Sequence, residues 1–266
     1  MNACTDVSII HKDGQTCQSL SLELIGEEPL AIRIDGKPYS VVMRTPGDEP
    51  AHAAGFCLTE GIIDSPEDIS ALACCDGSDS NVVAVTLTDS RRRKIAGYLD
   101  RRNFISQTSC GICGKEIIED LSTVLLPVQD DTQFSVSRAI TCIEDFSRHQ
   151  PLRRKTRATH AALIIDADLK VLSSAEDVGR HNAVDKSIGK LFLSRTLSDA
   201  KGLVLSSRIS YELVQKAGRA GIPIILAVSR PTALAVDLAT RLDMTLACLA
   251  PKTGLYVFCG DRRLTA

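Results

Sequence analysis

Residues 203–249, LVLSSRISYELVQKAGRAGIPIILAVSRPTALAVDLATRLDMTLACL, decide the architecture. Leu203-Val204-Leu205 is a short, wholly apolar run, as in a strand buried on both faces of a sheet. Ile209, Leu213 and Ala217 then recur at helical spacing. Lys216, Arg219 and Gly221 supply the cations and the glycine that suit a helix C-terminus. Ile222 to Val228 reads as a second apolar strand. Pro231 suits the first turn of a further helix running to about Leu242, and Met244 to Leu249 is a third strand. Strand, helix, strand, helix, strand at this spacing predicts parallel pairing through right-handed crossovers. Ligands of such sheets bind beyond the carboxyl ends of the strands. Those ends are Ser206-Ser207-Arg208, Ser229-Arg230-Pro231-Thr232 and Ala250-Pro251-Lys252. Hydroxyls and cations beside helix N-termini suit phosphate groups.

Working outward, His160 to Ile165 and Val171-Leu172 predict two strands around an Asp-Ala-Asp turn. A helix is expected from about Asn182, with Val184, Ile188, Leu191 and Phe192 on one face. Nearer the N-terminus, Ala31-Ile32-Arg33-Ile34, a turn at Asp35-Gly36, and Tyr39 to Met43 predict a hairpin. Residues 48–60 read as a helix with Asp48 as candidate cap and Gly61 as its stop, and Val82 to Leu87 as a strand. The basic run Arg91-Arg92-Arg93-Lys94 reads as a solvated loop, and Lys115 to Leu126 as an amphipathic stretch. Pro127 to Gln133 is polar and without apolar period, which marks a linker. The expected organisation is an N-terminal tail over 1–19, an α+β domain over 20–128, and an α/β domain over 132–266.

Hydrophobic residues make up 44% of the 266 and aromatics only 4%, so the core must rest on Leu, Ile, Val and Ala. A net charge of -2 gives no bulk reason to expect nucleic-acid binding. The first residues show no basic stretch leading into an apolar run, which argues against a signal peptide. No segment approaches the ~18 apolar residues of a membrane span. The expectation is a soluble, cytoplasmic protein whose ten cysteines stay reduced. Most of these read as small core residues, Cys57 and Cys248 among them.

Cys110-Gly111-Ile112-Cys113 stands apart. Lys115 and a following helix N-terminus would favour the thiolate, and Gly111 and Gly114 would leave the sulfurs accessible. A thiolate there can take up sulfur as a persulfide and pass it on. Two other readings remain open. One is half of a zinc site, with His160 and His181 as further ligands and Cys74-Cys75 poorly spaced for chelation. The other is a thiol–disulfide redox pair. A zinc deaminase is excluded, since no H-x-E is present and Ser109 replaces the required proline. A second polar cluster runs EDVGRHNAVDK over 176–186. Arg180 can grip phosphate, and Glu176, Asp177 or Asp185 can accept hydrogen bonds from a guanine or pterin ring. His181 can donate to an oxygen or act as acid or base. An ordinary capped helix with a surface ion-pair cluster explains the same residues. Neither a P-loop nor a G-x-G-x-x-G is present.

Several segments together resemble one family: Thr45-Pro46-Gly47-Asp48, GFCLTEGII over 55–63, SCGICGK over 109–115, EDVGRHNAVDK over 176–186, SRISYELVQK over 207–216, and Pro231-Thr232 with Ala235. In this order and content the chain resembles the FdhD family of formate dehydrogenase accessory sulfurtransferases. The resemblance implies an α/β fold: an α+β N-terminal part and a cytidine-deaminase-like α/β/α C-terminal domain with a mostly parallel sheet, in a homodimer. It implies a sulfurtransferase that takes persulfide sulfur from a cysteine desulfurase. The acceptor would be the molybdenum or tungsten bis(molybdopterin guanine dinucleotide) cofactor, bound as substrate and destined for formate dehydrogenase. No permanent metal, nucleic acid or membrane is implied. Cys110 would carry the persulfide with Cys113 its partner. Cofactor contacts would map onto Gly179, Arg180, His181, Asn182, Ser207, Arg208, Ser229, Pro231 and Thr232. They would also include the late loop Leu249, Ala250, Pro251, Lys252, Thr253 and Gly254. Here Ser206-Ser207-Arg208 replaces the family's Ser-Gly-Arg, Arg157-Ala158-Thr159 its Thr-Gly-Gly, and Leu249-Ala250-Pro251 its Phe-x-Arg.

Overall fold

Two sheets share one hydrophobic core in the computed structural model, which describes residues 3–74, 81–102 and 125–266. The N-terminal sheet is built from β3 (Glu28–Ile34), β4 (Lys37–Arg44), β5 (Ile69–Cys74) and β6 (Val82–Leu87), in the order β4-β3-β6-β5. β3 and β4 form the expected hairpin, turning through Asp35 and Gly36, both at positive φ. Leu30, Ile32, Ile34, Val83, Val85 and Leu87 alternate onto one buried face. Helix α1 (Glu49–Thr59) follows, with Gly61 at φ +77 ending it as read; Asp48 precedes it but makes no side-chain cap.

After the two-residue strand β7 (Phe134–Ser135) comes the C-terminal sheet of six strands: β8 (His160–Ile165), β9 (Val171–Asp177), β10 (Gly202–Leu205), β11 (Ile224–Ala227), β12 (Thr245–Leu249) and β13 (Leu255–Cys259). Their order is β13-β12-β11-β10-β8-β9. β10, β11 and β12 form the parallel centre that the apolar runs predict. The margins are antiparallel, because β8–β9 and β12–β13 are joined by connections too short for a crossover. Alternate residues of β8, β10, β11 and β12 enter two different cores, so both faces are covered. One face carries α5 (Arg180–Leu193), α6 (Tyr211–Arg219) and α7 (Ala233–Arg241). The other carries α3 (Val136–Glu144) and Phe146.

α1 and α5 join the halves. They cross glycine to glycine: a Cβ on Gly55 would stand 1.9 Å from the Asp185 carbonyl oxygen, and one on Gly189 1.7 Å from that of Ala51. The backbones therefore touch, and only glycine fits at either position.

Five expectations are corrected or refined. The basic run Arg91–Lys94 is not a solvated loop but part of helix α2 (Asp89–Arg102). Arg91 is buried there, donating from Nε to the Ile62 carbonyl (2.7 Å) and from Nη2 to that of Gly61 (2.8 Å), and pairing with Asp64. Residues 1–19 do not form a plain tail: β1 (Cys4–Lys12) and β2 (Cys17–Ile25) make a two-stranded ribbon. Asp13 closes its turn by accepting from the Gln15 and Thr16 amides. Pro231 lies ahead of α7 rather than inside its first turn, and Thr232 caps the helix by accepting from the Ala235 amide (3.3 Å). Ile209 precedes α6 and bridges to Pro231. The stretch Pro127–Gln133 has no regular structure, yet it lies against the second half. The Val128 amide donates to the Leu242 carbonyl (2.9 Å), Lys201 pairs with Asp130 (2.9 Å), and buried Arg263 donates to the Asp130 carbonyl (3.0 Å). Among the described residues no helix is long and apolar enough to cross a membrane.

Candidate functional site

Strand direction decides what meets at the site. β9 is antiparallel to β8, and β8 to β10, so β9 runs the same way as β10, β11 and β12. The residues that follow these four strands therefore lie along one edge: 178–182, 206–210, 228–232 and 250–254. His160, the first residue of β8, pairs with Asp177 and shares that edge. Helices α5, α6 and α7 all begin there, so three positive dipole ends lie along the same edge, and that of α7 is capped by Thr232.

Part of the 176–186 cluster is internal scaffolding. Asp177 is fully buried, and its carboxylate is satisfied on every side. Oδ1 accepts from the Gly179 amide (2.9 Å) and Asn182 Nδ2 (2.9 Å). Oδ2 accepts from the Thr45 amide (3.0 Å) and pairs with Lys186 Nζ (2.7 Å). Lys186 also donates to the Thr45 carbonyl (2.6 Å), and Asn182 to that of Met43 (2.7 Å). A buried charge needs such saturation. One turn further along α5, Asp185 accepts from Lys216 (2.9 Å) and Thr59 (2.8 Å). Asp177 and Asp185 are thus not free to read a ring, as the sequence alone allowed, and the Asn182 amide nitrogen is committed inward. Glu176 is committed as well: Oε1 accepts from the Leu152 amide (2.7 Å), and Oε2 from the Arg153 amide (2.8 Å) and Thr159 (2.8 Å). Gly179 is required for space, since a Cβ would lie 2.7 Å from Asn182 Nδ2.

The other polar groups of this edge differ in how far they are committed. Arg180 Nε is buried without a hydrogen-bond partner. His181 Nε2 lies 2.9 Å from Glu212 Oε2. The contact with His181 holds the Glu212 carboxyl below its usual range, against burial, which pushes it up. Burial, then the cations Arg180 and Arg153, push the His160 imidazole pKa down. Ser207 is buried and donates to the Arg208 carbonyl (3.0 Å), while Arg208 is exposed. Ser229 and Thr232 are exposed and Pro231 half-buried. Arg230 lies over the Tyr256 ring, 5.4 Å from its centroid. In the late loop the Ala250 amide donates to the Gly254 carbonyl (3.0 Å), closing a tight turn that presents Pro251, Lys252 and Thr253 to solvent beyond Leu249.

An orphaned guanidinium nitrogen among three helix N-termini fits a phosphate-bearing molecule. Sequence reasoning missed Glu212 as the partner of His181, and the Lys186 and Lys216 ion pairs that fix the crevice wall. His181 and Glu212 sit on different helices, so no spacing rule could link them.

Cys110 and Cys113 lie outside the described residues, as does all but the end of the expected 115–126 helix. Cys57 and Cys248 are core residues, as read. Burial pushes the thiols of Cys57, Cys142, Cys248 and Cys259 up, away from the thiolate form.

Comparison with known proteins agrees with this architecture. The sequence pattern of the FdhD/NarQ family matches residues 25–265. The sulfur carrier protein FdhD of Streptomyces coelicolor is 38% identical over 251 residues, covering 91% of this chain and 88% of its own length. That of Mycolicibacterium paratuberculosis is 40% identical over 251 residues, covering 91% of each chain. A crystal structure from Desulfotalea psychrophila, provisionally assigned as a formate dehydrogenase accessory protein, superposes with a TM-score of 0.78. It is 23% identical and covers 99% of this chain and 100% of its own, a likeness of fold. By this match along nearly its whole length, the chain belongs to the FdhD/NarQ family.

Proposed function

We propose that the protein is a sulfur carrier that loads a persulfide on Cys110 and delivers the sulfur to a guanine-dinucleotide pterin cofactor bound in the crevice. The observation that carries this reading is the crevice itself: three helix N-termini, the partnerless Arg180 Nε, Arg208 and the late loop along one sheet edge. A bis(guanine dinucleotide) pterin carries two diphosphates, which match that set of donors. Its molybdenum or tungsten centre takes soft sulfur ligands. The family relatives are named sulfur carriers, which supports the same role for this chain.

The chemistry starts with a thiolate at Cys110 attacking the sulfane sulfur of a cysteine desulfurase persulfide. The desulfurase cysteine leaves as a thiol, and Cys110 becomes R–S–SH. Attack of the Cys113 thiolate on Cys110 Sγ then expels hydrosulfide toward the metal and leaves a Cys110–Cys113 disulfide for a cellular thiol to reduce. The client of the sulfurated cofactor is a formate dehydrogenase. The raised thiols of Cys57, Cys142, Cys248 and Cys259 make them poor rivals for the nucleophile.

The test is mass spectrometry of the full chain after incubation with a cysteine desulfurase and cysteine. A gain of one sulfur on the peptide holding Cys110, absent in Cys110→Ala, is the expected result. Loading that persists in Cys110→Ala overturns the assignment. Retained dehydrogenase maturation after replacing both cysteines would make the protein a cofactor chaperone instead.

A further inference from the structure

The segment before β8 carries positive charge that the crevice does not use. Arg148, Arg153, Arg154, Lys155 and Arg157 fall close together in a chain whose net charge is -2. They lie on the turn Asp145–His149 and on the short helix α4 (Pro151–Thr156) with its C-cap Arg157. Arg148 pairs with Asp145 (3.2 Å) and Lys155 with Glu23 (3.2 Å). Arg153 gives Nη1 to the Thr159 carbonyl (2.9 Å). Among the described residues, Arg153, Arg154 and Arg157 have no acidic side chain within ion-pair distance. Glu176, the neighbouring carboxylate, has both oxygens occupied by donors from α4 and Thr159.

These three arginines, with Ser147 and Gln150, line an open cleft of about 430 Å³. Gln150 is only 6% exposed, and its Nε2 has no hydrogen-bond partner. Buried amide donors are ordinarily paired, so one left open beside a cleft marks the place of an absent acceptor. The lining offers guanidinium, hydroxyl and amide donors and no carboxylate. Guanidinium forks match the geometry of phosphate oxygens.

We propose that this cleft is a second anion site, which binds a phosphate or diphosphate group between Arg154 and Arg157 with Gln150 Nε2 as a neutral donor. It goes beyond the sulfur-carrier reading and does not rest on it. Because Arg153 donates to the Thr159 carbonyl, next to His160 on the sheet edge, the site flanks that edge.

The test is calorimetric titration of the full-length protein with inorganic pyrophosphate at about 0.15 M salt, where diffuse surface attraction is largely screened. A saturable binding site that persists in Arg208→Gln is expected. Gln150→Leu changes no charge and should weaken it by about tenfold or more, the scale of one hydrogen bond to a charged group. Arg154→Gln combined with Arg157→Gln should abolish it, with the urea midpoint unchanged in both variants. Absence of binding to the wild type overturns the proposal. So does binding that Gln150→Leu leaves intact and that an oligonucleotide matches, which would mean a solvated basic surface. Binding lost instead in Arg208→Gln would place the pyrophosphate in the crevice and equally overturn it.

Discussion

Replacing Gly189 by alanine should open the joint between the two halves. An ideal Cβ there lies 1.7 Å from the Ala51 carbonyl oxygen, 2.6 Å from its carbon and 2.9 Å from the Gly55 amide nitrogen. All three are helix backbone, so no rotamer change relieves the clash. Restoring van der Waals contact requires α1 and α5 to part by roughly 1.5 Å, in an interior packed too tightly to absorb that. Overpacking of this kind costs about 1–3 kcal/mol, and more where backbone must move. The hydrogen bonds that the Thr45 amide donates to Asp177 and the Thr59 hydroxyl to Asp185 span the same joint. Stretching one buried charged hydrogen bond adds ~1–3 kcal/mol. The better helix propensity of alanine returns up to ~1 kcal/mol. The net loss is about 3 kcal/mol, or on the order of 10 °C in Tm for a chain of this size. Urea unfolding measures it, with Gly97→Ala as the control: a Cβ at that helical position meets nothing within 4 Å. If Gly189→Ala loses less than ~1 kcal/mol, the glycine crossing does not hold the halves together and the packing account is wrong.

Two further outcomes follow from the buried charges. Arg91→Met should cost about 2–4 kcal/mol by urea midpoint, because it strands the Gly61 and Ile62 carbonyls that the guanidinium serves; Arg92→Met, on the exposed side of α2, should stay within ~1 kcal/mol. In acid, the hydrogen bond from Arg92 holds the Asp35 carboxyl below its ordinary range, and the contact with His181 does so for Glu212. A depressed carboxylate adds stability above its unfolded pKa near ~4 and loses it as pH falls through the folded value. The urea midpoint should therefore drop as pH goes from about 5 to 3, and Asp35→Asn with Glu212→Gln should flatten that drop; an equal slope in the double variant would refute the linkage.

The α/β order of the second half was legible because its strands are short, apolar and separated by helical periods. Leu203 to Leu205 and Ile222 to Val228 read as buried strands without any tertiary information. Short-range rules failed where long-range contacts decide. Arg91 to Lys94 looked solvated, yet Arg91 is drawn inside by the Gly61 and Ile62 carbonyls of the turn after α1, some thirty residues earlier. The N-terminal residues looked like a tail because their ribbon is mostly exposed and lacks the buried alternation that marks a strand.

The order of residues alone determined the parallel centre of the sheet and the helix expected from about Asn182, which the structure starts at Arg180, since each rests on periodicity or on neighbours a few positions apart. Only the tertiary structure decided which members of the 176–186 cluster are committed to internal partners. Asp177 and Asp185 are turned inward by Thr45, Lys186, Thr59 and Lys216, which come from distant parts of the chain. A carboxylate is committed by whatever donor reaches it in space, and sequence spacing carries no record of that donor.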